Sequence, residues 1–297
     1  MVKDDAQAKP EVKAEKAYPK VDSKTDPRGS PRSGLRGGPR GGPRGGLRGG
    51  PNKGPRRGPR TERREEPEFD PASWKPKTAL GKLVKEEKIT DIEQILDNGL
   101  KILEPEIVEM LMPNLESDLL LIGQSKGKFG GGKRRVFRQT QKKTKEGNKP
   151  KFAAFAVIGN KDGIVGLGYG KSKETVPARE KALRNAKLNI FKIRRGSGSW
   201  EAETHEPISI PFMVEGKAGS VKLKLIPASK GTGLIAEPEI AKILSLAGIK
   251  DIWTQTKGQT KTKTNFIMAC EKALKQLIKT KLSEEKKAKL HIVEGKA

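Results

Sequence analysis

The sequence has almost none of the residues from which metal and catalytic sites are most often built. Its 297 residues include one cysteine, Cys270, and two histidines, His205 and His291. A single cysteine excludes a disulfide framework and fits a reducing compartment such as the cytoplasm. These three residues provide neither a zinc cluster nor a basis for Ser-His-Asp or Cys-His catalysis. We therefore expect no catalytic residue, no metal and no cofactor, and we expect Cys270 to be a core residue.

Long apolar segments and aromatic residues are also scarce. No run of about 18 apolar residues is present, so we expect no membrane-spanning helix. Residues 1–20 have mixed charge and no apolar stretch, which is unlike a secretory signal. Aromatic residues make up 4% of the chain, which is few for one large core. Together with the length, this composition predicts two small domains plus tails.

Acidic residues are too few to balance the basic ones. The chain has 62 Lys and Arg against 36 Asp and Glu, a net charge of +26. Such an excess repels itself in a compact state, and a polyanionic partner relieves the repulsion. Nucleic acid is the first candidate and an anionic membrane surface the second.

Residues 1–75 are predicted to be a disordered basic tail. An arginine recurs every fourth residue between glycine, proline and leucine, and residues 28–60 hold ten basic residues and no acidic one. Such a composition cannot form a packed core. Guanidinium groups pair with phosphates and stack on bases, so we interpret the tail as RNA-binding, the alternative being a purely solubilising tail. The candidate contacts in it are Arg36, Arg40, Arg44 and Arg48.

Residues 76–122 have the spacing of short, core-facing helices. Ile92 and Ile95 share one helical face, and a second helix is predicted between Pro105 and Pro113.

Residues 123–195 are predicted to form the first domain, in the order strand, strand, strand, helix. Its first part, 123–151, holds eleven Lys or Arg and a single acid. Gly166, Gly168 and Gly170 strip one strand face of side chains, which permits close approach of a helix or a nucleic-acid backbone. The expected elements are strands at 134–141, 152–158 and 164–170, a turn or loop at 142–150, a turn at 160–163 and a helix from 177 to about 193.

A linker at 196–204 leads to the second domain, residues 205–281. Strict alternation of apolar residues from 208 to 214 predicts a strand with one buried face. Residues 282–297 are predicted to be a charged, frayed tail. The expected elements of the domain are strands at 208–214, 221–225 and 249–254, a connection at 215–219, and helices at 239–247 and 267–278.

Two glycine-rich segments come close to nucleotide-binding motifs. Residues 127–133 nearly fit the P-loop pattern, but Arg134 stands where a magnesium-binding hydroxyl is required, and no helix follows. Residues 231–236 fit a dinucleotide fingerprint with Asp251 twenty residues further on. Four residues separate this segment from its strand, however, where the fingerprint needs an abrupt turn. We interpret it as a turn that requires positive φ.

RNA binding is the function that charge and pattern support together. The strand-strand-strand-helix order suits a small module of the double-stranded-RNA-binding type, which reads A-form shape through phosphates and ribose hydroxyls. For any single lysine the alternative is an ordinary solvated face. The predicted RNA-binding residues outside the tail are Lys126, Lys128, Lys133, Arg134, Arg135, Arg138, Lys142, Lys143, Lys145, Lys149, Lys151, Lys171, Lys173, Arg179, Arg184, Arg194, Arg195, Lys217 and Lys230.

Four short segments carry a family resemblance. They are AVIGN at 156–160, GIVGLGYGKSKE at 163–174, SVKLKLIPASKGTGL at 220–234 and LAGI at 246–249. In this order, within residues 90–281, they are similar to the universal small-subunit ribosomal protein five family (protein two in eukaryotic naming), of archaeal or eukaryotic type.

The resemblance implies an α+β fold and a ribosomal role. The first domain would be double-stranded-RNA-binding-like, and the second would have a left-handed βαβ crossover. The protein would be a non-enzymatic, structural constituent of the cytoplasmic small ribosomal subunit. It would bind small-subunit rRNA near the messenger entrance and support translation and decoding accuracy. Its further partners would be mRNA and neighbouring ribosomal proteins, with no membrane and no small-molecule substrate.

Some features depart from parts of the family. The Arg-Gly tail resembles eukaryotic members, whereas the body is more similar to archaeal ones. Residues 142–151, the family's basic hairpin loop, lack the paired glycines of bacterial members, so antibiotic-related behaviour is not carried over. A free-standing RNA chaperone that acts through the tail is the rival hypothesis, and one copy per ribosomal particle would separate the two.

Overall fold

A computed structural model describes residues 74–125, 134–200 and 206–295. All of them belong to one compact unit, Glu65–Ala297. The predicted Arg-Gly tail lies outside the described residues except for its last two positions.

Three short helices precede the first sheet, as the apolar spacing predicts. Thr78 begins the first helix by accepting a hydrogen bond from the Gly81 N–H at 3.1 Å, which satisfies one of its free backbone donors. Ile95 and Ile107 are fully buried, so the prediction of core-facing helices is confirmed. The helices are α1 (Ala79–Lys85), α2 (Ile92–Asp97) and α3 (Glu106–Leu111).

The first sheet is built around one long strand. β4 pairs along one edge of β3, while β1 and β2 lie one after the other along its other edge. The helix α4 packs against β3 and β4. The elements are β1 (Glu116–Leu120), β2 (Arg138–Thr144), β3 (Gly147–Gly159), β4 (Ile164–Ser172), α4 (Thr175–Leu188) and β5 (Ile190–Lys192).

The glycine face of β4 is covered by α4. A Cβ at Gly168 would lie 2.1 Å from the backbone nitrogen of Ala186 and 2.2 Å from the carbonyl oxygen of Ala182. Gly166 and Gly170 meet the same helix as closely. The sequence permits either a helix or a nucleic-acid backbone to approach this glycine face. In the structure it is the helix α4 that packs there.

The second half of the described chain forms another mixed layer. Its sheet has the order β7-β8-β10-β9, and β9 and β10 are parallel strands joined through α5. The helix α6 covers the inner face of β7 and β8. The elements are β6 (Arg194–Arg195), β7 (Val214–Ala218), β8 (Val221–Pro227), β9 (Leu234–Ile235), α5 (Pro238–Leu246), β10 (Ile252–Lys257), α6 (Lys263–Lys279), α7 (Glu284–Lys289) and β11 (Val293–Glu294).

The two layers share a core. Ala154, Ala156 and Ile158 of β3 pack with α4 and the first helices, whereas Phe155 and Val157 of the same strand belong to the core of α5, α6 and the second sheet. Alternate residues of a strand point to opposite faces. This part of the first sheet is therefore buried on both sides.

The turn or loop predicted at 142–150 is much shorter in the structure. β2 continues to Thr144 and β3 starts at Gly147, so only residues 145 and 146 form the turn. Gly147 has a φ of +110°, which glycine adopts without strain. The segment is a long two-stranded hairpin.

Several element boundaries also differ from the sequence prediction; the strands predicted at 134–141 and 249–254, for example, span Arg138–Thr144 and Ile252–Lys257. The helix predicted to reach Ile193 ends at Leu188, and Ile190 pairs with Gly166 as part of β5. The strand predicted at 208–214 begins only at Val214, so the predicted connection at 215–219 is largely the strand itself. Pro211 lacks the N–H that a strand ladder needs, which the apolar alternation does not show.

The end of the chain is docked rather than frayed. Residues 284–289 form α7, and β11 pairs antiparallel with β6. Ser197, in the predicted linker, donates its N–H to the Leu290 carbonyl at 2.9 Å. The described part of the predicted C-terminal tail is thus held against β6 and the segment that follows it.

Candidate nucleic-acid interface

The register of the hairpin places most of its cations on one face. Arg138 pairs with Ala153, which pairs with Lys171 of β4, and Lys142 pairs with Lys149. Directly paired residues point to the same side of a sheet. Since position 153 shares its face with Phe155, this face is the one opposite α4. We call Arg138, Lys142, Lys149, Lys151 and Lys171 the hairpin face.

The hairpin face is exposed in the part of the chain that the structure describes. All five side chains are solvent-exposed, and Tyr169 marks the border with the buried part of the sheet. Seven residue pairs give the hairpin a length of about 20 Å. Glu146 at the turn forms an exposed ion pair with Lys149 at 2.7 Å, a contact of little energetic weight. The face is a flat, strongly basic strip.

The other predicted residues of the first domain lie elsewhere. Lys143 is on the opposite face of β2, because it pairs with Asn148. Lys145 is in the turn, and Lys173 lies between β4 and α4. Arg179 and Arg184 are exposed on α4, on the other side of the sheet from the hairpin face. The sequence therefore predicts cations that the fold divides between two surfaces.

Arg194 lies inside the protein. The residue is 9% exposed. Nε donates to Glu294 Oε1 at 2.8 Å, and Nη1 donates to the carbonyl oxygens of Leu277 and Thr280 at 3.1 and 2.6 Å. These contacts hold β6, the end of α6 and β11 together.

Arg195 is also buried, at 5% exposed. Its Nη2 donates to Asp162 Oδ1 at 2.9 Å and to the Gly295 carbonyl at 3.0 Å. A buried guanidinium already bonded to the protein has no route to phosphate. The prediction that Arg194 and Arg195 bind RNA is therefore corrected: Arg194 joins β6 to α6 and β11, Arg195 joins β6 to Asp162 of the first layer, and both side chains are buried.

The remaining predicted residues are scattered. Arg134 donates to the carbonyl oxygens of Gly123 and Lys261. Arg135 is exposed beside it. Lys230 forms an exposed ion pair with Glu206 at 3.1 Å, and Lys217 is exposed on β7. Lys126, Lys128 and Lys133, with Arg36, Arg40, Arg44 and Arg48 of the tail, lie outside the described residues.

The dinucleotide-like segment is a turn, as interpreted from the sequence. Gly231 and Gly233 have φ of +87° and +73°. Gly233 donates its N–H to Asp251 Oδ1 at 2.7 Å, so the carboxylate that the fingerprint would use for ribose is bonded within the turn. The Glu237 carboxylate accepts from the Glu239 N–H at 3.1 Å at the start of α5, where a phosphate would have to bind. The P-loop-like segment, 127–133, lies outside the described residues.

Cys270 is a core residue, as predicted. It is fully buried in α6. Burial, with a smaller contribution from the Glu271 carboxylate, raises the pKa of its thiol to about 12. A thiol protonated at physiological pH and closed to solvent is not a nucleophile. Among the helices in the described residues, none has the length and apolarity needed to cross a bilayer.

The fold and the surface together define a class of protein: a mixed α/β protein with two buried arginines and an exposed basic hairpin. An exposed basic hairpin is typical of proteins that bind RNA.

Comparison with known proteins identifies the family. Residues 133–194 match the family model "Ribosomal protein S5, N-terminal domain" and residues 216–288 match "Ribosomal protein S5, C-terminal domain".

Relatives named "Small ribosomal subunit protein uS5" are similar over most of their length. That of Nanoarchaeum equitans is 53% identical over 204 residues, covering 69% of this chain and 87% of the relative. That of Methanocaldococcus jannaschii is 46% identical over 228 residues, covering 77% and 98%. That of Staphylothermus marinus is 47% identical over 207 residues, covering 70% and 90%.

The chain belongs to the uS5 family of small ribosomal subunit proteins. It is accordingly a cytoplasmic, RNA-binding component of a ribonucleoprotein that takes part in translation, and it is not an enzyme. The archaeal relatives agree with the archaeal character of its body.

The sequence identified the basic segment but not its geometry. Periodicity reveals neither that β2 and β3 pair as far as Thr144 and Gly147 nor that five cations share a face, because register depends on the partner strand. The burial of Arg194 and Arg195 also has no local signal, since Glu294 and Gly295 are about 100 residues away along the chain.

Proposed function

We propose that the hairpin face is the main rRNA contact of this protein in the small subunit. The observation that carries the proposal is the alignment of Arg138, Lys142, Lys149, Lys151 and Lys171 on one exposed face. Lys142 and Lys149 stand directly opposite each other, and like charges in that position destabilise a hairpin. A phosphate backbone between them would turn this repulsion into attraction.

The first domain works as a double-stranded-RNA-binding-like module. Three antiparallel strands with one helix across them support this proposal. Lys173, just before α4, lies close to the phosphates in such a module, with Arg179 in the second turn of the helix. The second domain carries the left-handed crossover of the family, and the β9-α5-β10 unit supplies the parallel strand pair that it needs. The Arg-Gly tail is an auxiliary RNA-binding segment.

The site of action is the messenger entrance of the small subunit. There the protein binds small-subunit rRNA, contacts mRNA and neighbouring ribosomal proteins, and supports decoding accuracy. These finer points rest on the family resemblance. The chain adds a rigid scaffold, because buried arginines and a shared core keep its two layers in one arrangement.

A salt titration of the full-length protein on small-subunit rRNA tests the proposal. Replacing Lys142, Lys149, Lys151 and Lys171 by Gln should reduce the slope of log K against log salt by about 3, which is four contacts at roughly 0.7–0.9 each. The matched control removes four exposed lysines away from the hairpin: Lys82, Lys101, Lys279 and Lys281. Equal slopes for the two variants would show that only net charge matters and would refute the proposed face.

A further inference from the structure

The second sheet has an open face with two cross-strand rows. Lys217 pairs with Lys222, which pairs with Lys257, so three lysines lie side by side on β7, β8 and β10. All three are exposed. Like charges directly opposite each other destabilise a sheet, so the protein's own fold gives no reason for this row. Lys224, between the rows, forms an ion pair with Glu215 at 3.7 Å.

The other row is apolar. Ile226 pairs with Trp253, which pairs with Ile235, so the indole of the central strand β10 has an isoleucine on either side. Trp253 is 44% exposed and Ile235 is 55% exposed. The apolar row and the lysine row are four residues apart along β8 and β10, about 13 Å. In the part of the chain that the structure describes, α6 covers the opposite face of this sheet, as Gly216 and Ala269 show by their close approach.

We propose that this open face binds an unpaired segment of RNA, with a base stacked on Trp253 and phosphates on Lys217, Lys222 and Lys257. Sheets that bind single strands combine an aromatic platform with cations that follow the backbone. Charge complementarity selects the occupant, since the face carries four lysines and one glutamate. The chain's own Arg-Gly segment has the same sign of charge and is not complementary. Protein interfaces, in contrast, are depleted in lysine.

This site goes beyond the proposed function. The hairpin face would bind the backbone of double-stranded RNA, whereas the open face would bind the unstacked bases of single-stranded RNA. The two surfaces lie on different sheets, and each has its own charge set. Either proposal can therefore fail without the other.

The test is photocrosslinking of the full-length protein to an unstructured RNA that contains 4-thiouridine, about 12 nucleotides long, within the range that one such domain covers. We expect a crosslink in the peptide that contains Trp253. Trp253→Ala should weaken binding about 10-fold, and Lys217, Lys222 and Lys257 changed to Gln should reduce the salt slope by about 2. Trp200→Ala is the matched control, since Trp200 is 91% exposed and lies off this sheet; it should leave affinity unchanged.

The hairpin variant described above separates the two proposals. If it lowers rRNA affinity but keeps the Trp253 crosslink, the two sites are independent, as we propose. Crosslinks confined to the hairpin or the tail, or equal affinity of Trp253→Ala and the parent protein, would overturn the open-face site.

Intact small subunits distinguish RNA from a protein neighbour. An amine-modifying reagent should fail to label Lys217, Lys222 and Lys257 in the subunit and should label them after ribonuclease treatment. Protection that persists after ribonuclease treatment would mean that a protein covers the face, and the proposal would fail.

Discussion

Gly168 shows how a single residue decides the packing of the first layer. Its φ is not positive, so backbone conformation does not require glycine. The packing of α4 requires glycine, because a Cβ at this position would lie within 2.2 Å of two backbone atoms of the helix. Moving a side chain cannot remove a clash with backbone atoms. Gly216 of β7 has the same relation to α6, with the Ala269 carbonyl 2.0 Å from the position of a Cβ. Each layer thus joins strand to helix through a bare backbone surface.

We expect Gly168→Val to reduce the free energy of unfolding by about 3 kcal/mol or more, because overpacking against backbone cannot relax. Denaturant unfolding of the two proteins measures the difference. Gln141→Val on the exposed β2 is the control. It adds the same side chain where no helix lies, and the expected change is within about 0.5 kcal/mol. A similar small effect at position 168 would mean that α4 does not pack as described.

The Cys270 thiol predicts a specific pH dependence. Its pKa is raised from 9.0 to about 12 in the folded protein. The unfolded thiol therefore ionises first as pH rises above 9, and the free energy of unfolding falls as the pH rises from 9 towards 12. Between pH 9 and 10, the free energy of unfolding of the parent protein should fall more steeply than that of the Cys270→Ala variant. Equal pH dependence of the two free energies of unfolding would contradict the burial of Cys270. Rapid chemical labelling of the native thiol at pH 8 would contradict it as well.

At the scale of the element, the hairpin carries like charges on directly paired strands. Lys142 and Lys149 repel each other across β2 and β3, and Lys151 and Lys171 add charge on the same face. Hairpins of ordinary sequence avoid such pairs. A surface that binds a polyanion needs them.

We expect Lys142→Glu to stabilise the protein by about 0.5 kcal/mol, because it creates a Glu-Lys cross-strand pair. The same change should weaken rRNA binding by removing one phosphate contact and adding repulsion. Lys143→Glu, on the opposite face of the hairpin, should leave stability nearly unchanged and affect binding less. If the two substitutions weaken binding equally, the face assignment is wrong.

Sequence reasoning located the elements better than their ends. The turn at 160–163, the helix α5 and the buried face of α6 were predictable, because each has a local signal in its glycines, prolines or apolar spacing. The end of α4 was not, since Ile190 and Ile193 continue the helical spacing although Ile190 pairs with Gly166. The hairpin face was not predictable either, because its members come together only when β2, β3 and β4 find their register.

At the scale of the whole molecule, the end of the chain fastens the two layers. Glu294 accepts from Arg194, and the Gly295 carbonyl accepts from Arg195. The same two arginines reach Asp162 of the first layer and the end of α6 at Thr280. Sequence composition predicts a frayed tail here, since charge density carries no information about a partner 100 residues away.

Removing residues 282–297 should therefore reduce the free energy of unfolding by about 2–4 kcal/mol, because it removes the Glu294 acceptor of Arg194 Nε and one of the two acceptors of Arg195 Nη2. Thermal or denaturant unfolding measures the loss. Lys286→Gln, an exposed change on α7, should have almost no effect. A truncated protein as stable as the parent would show that this segment is a frayed tail after all.

Sedimentation of native lysate through a gradient at high salt tests the central claim most directly, because high salt removes proteins held by charge alone. The full-length protein should migrate with the small ribosomal subunit at one copy per particle, while the hairpin variant should be depleted from that fraction. A soluble or smeared distribution of the full-length protein would contradict the account and would favour a free-standing RNA chaperone.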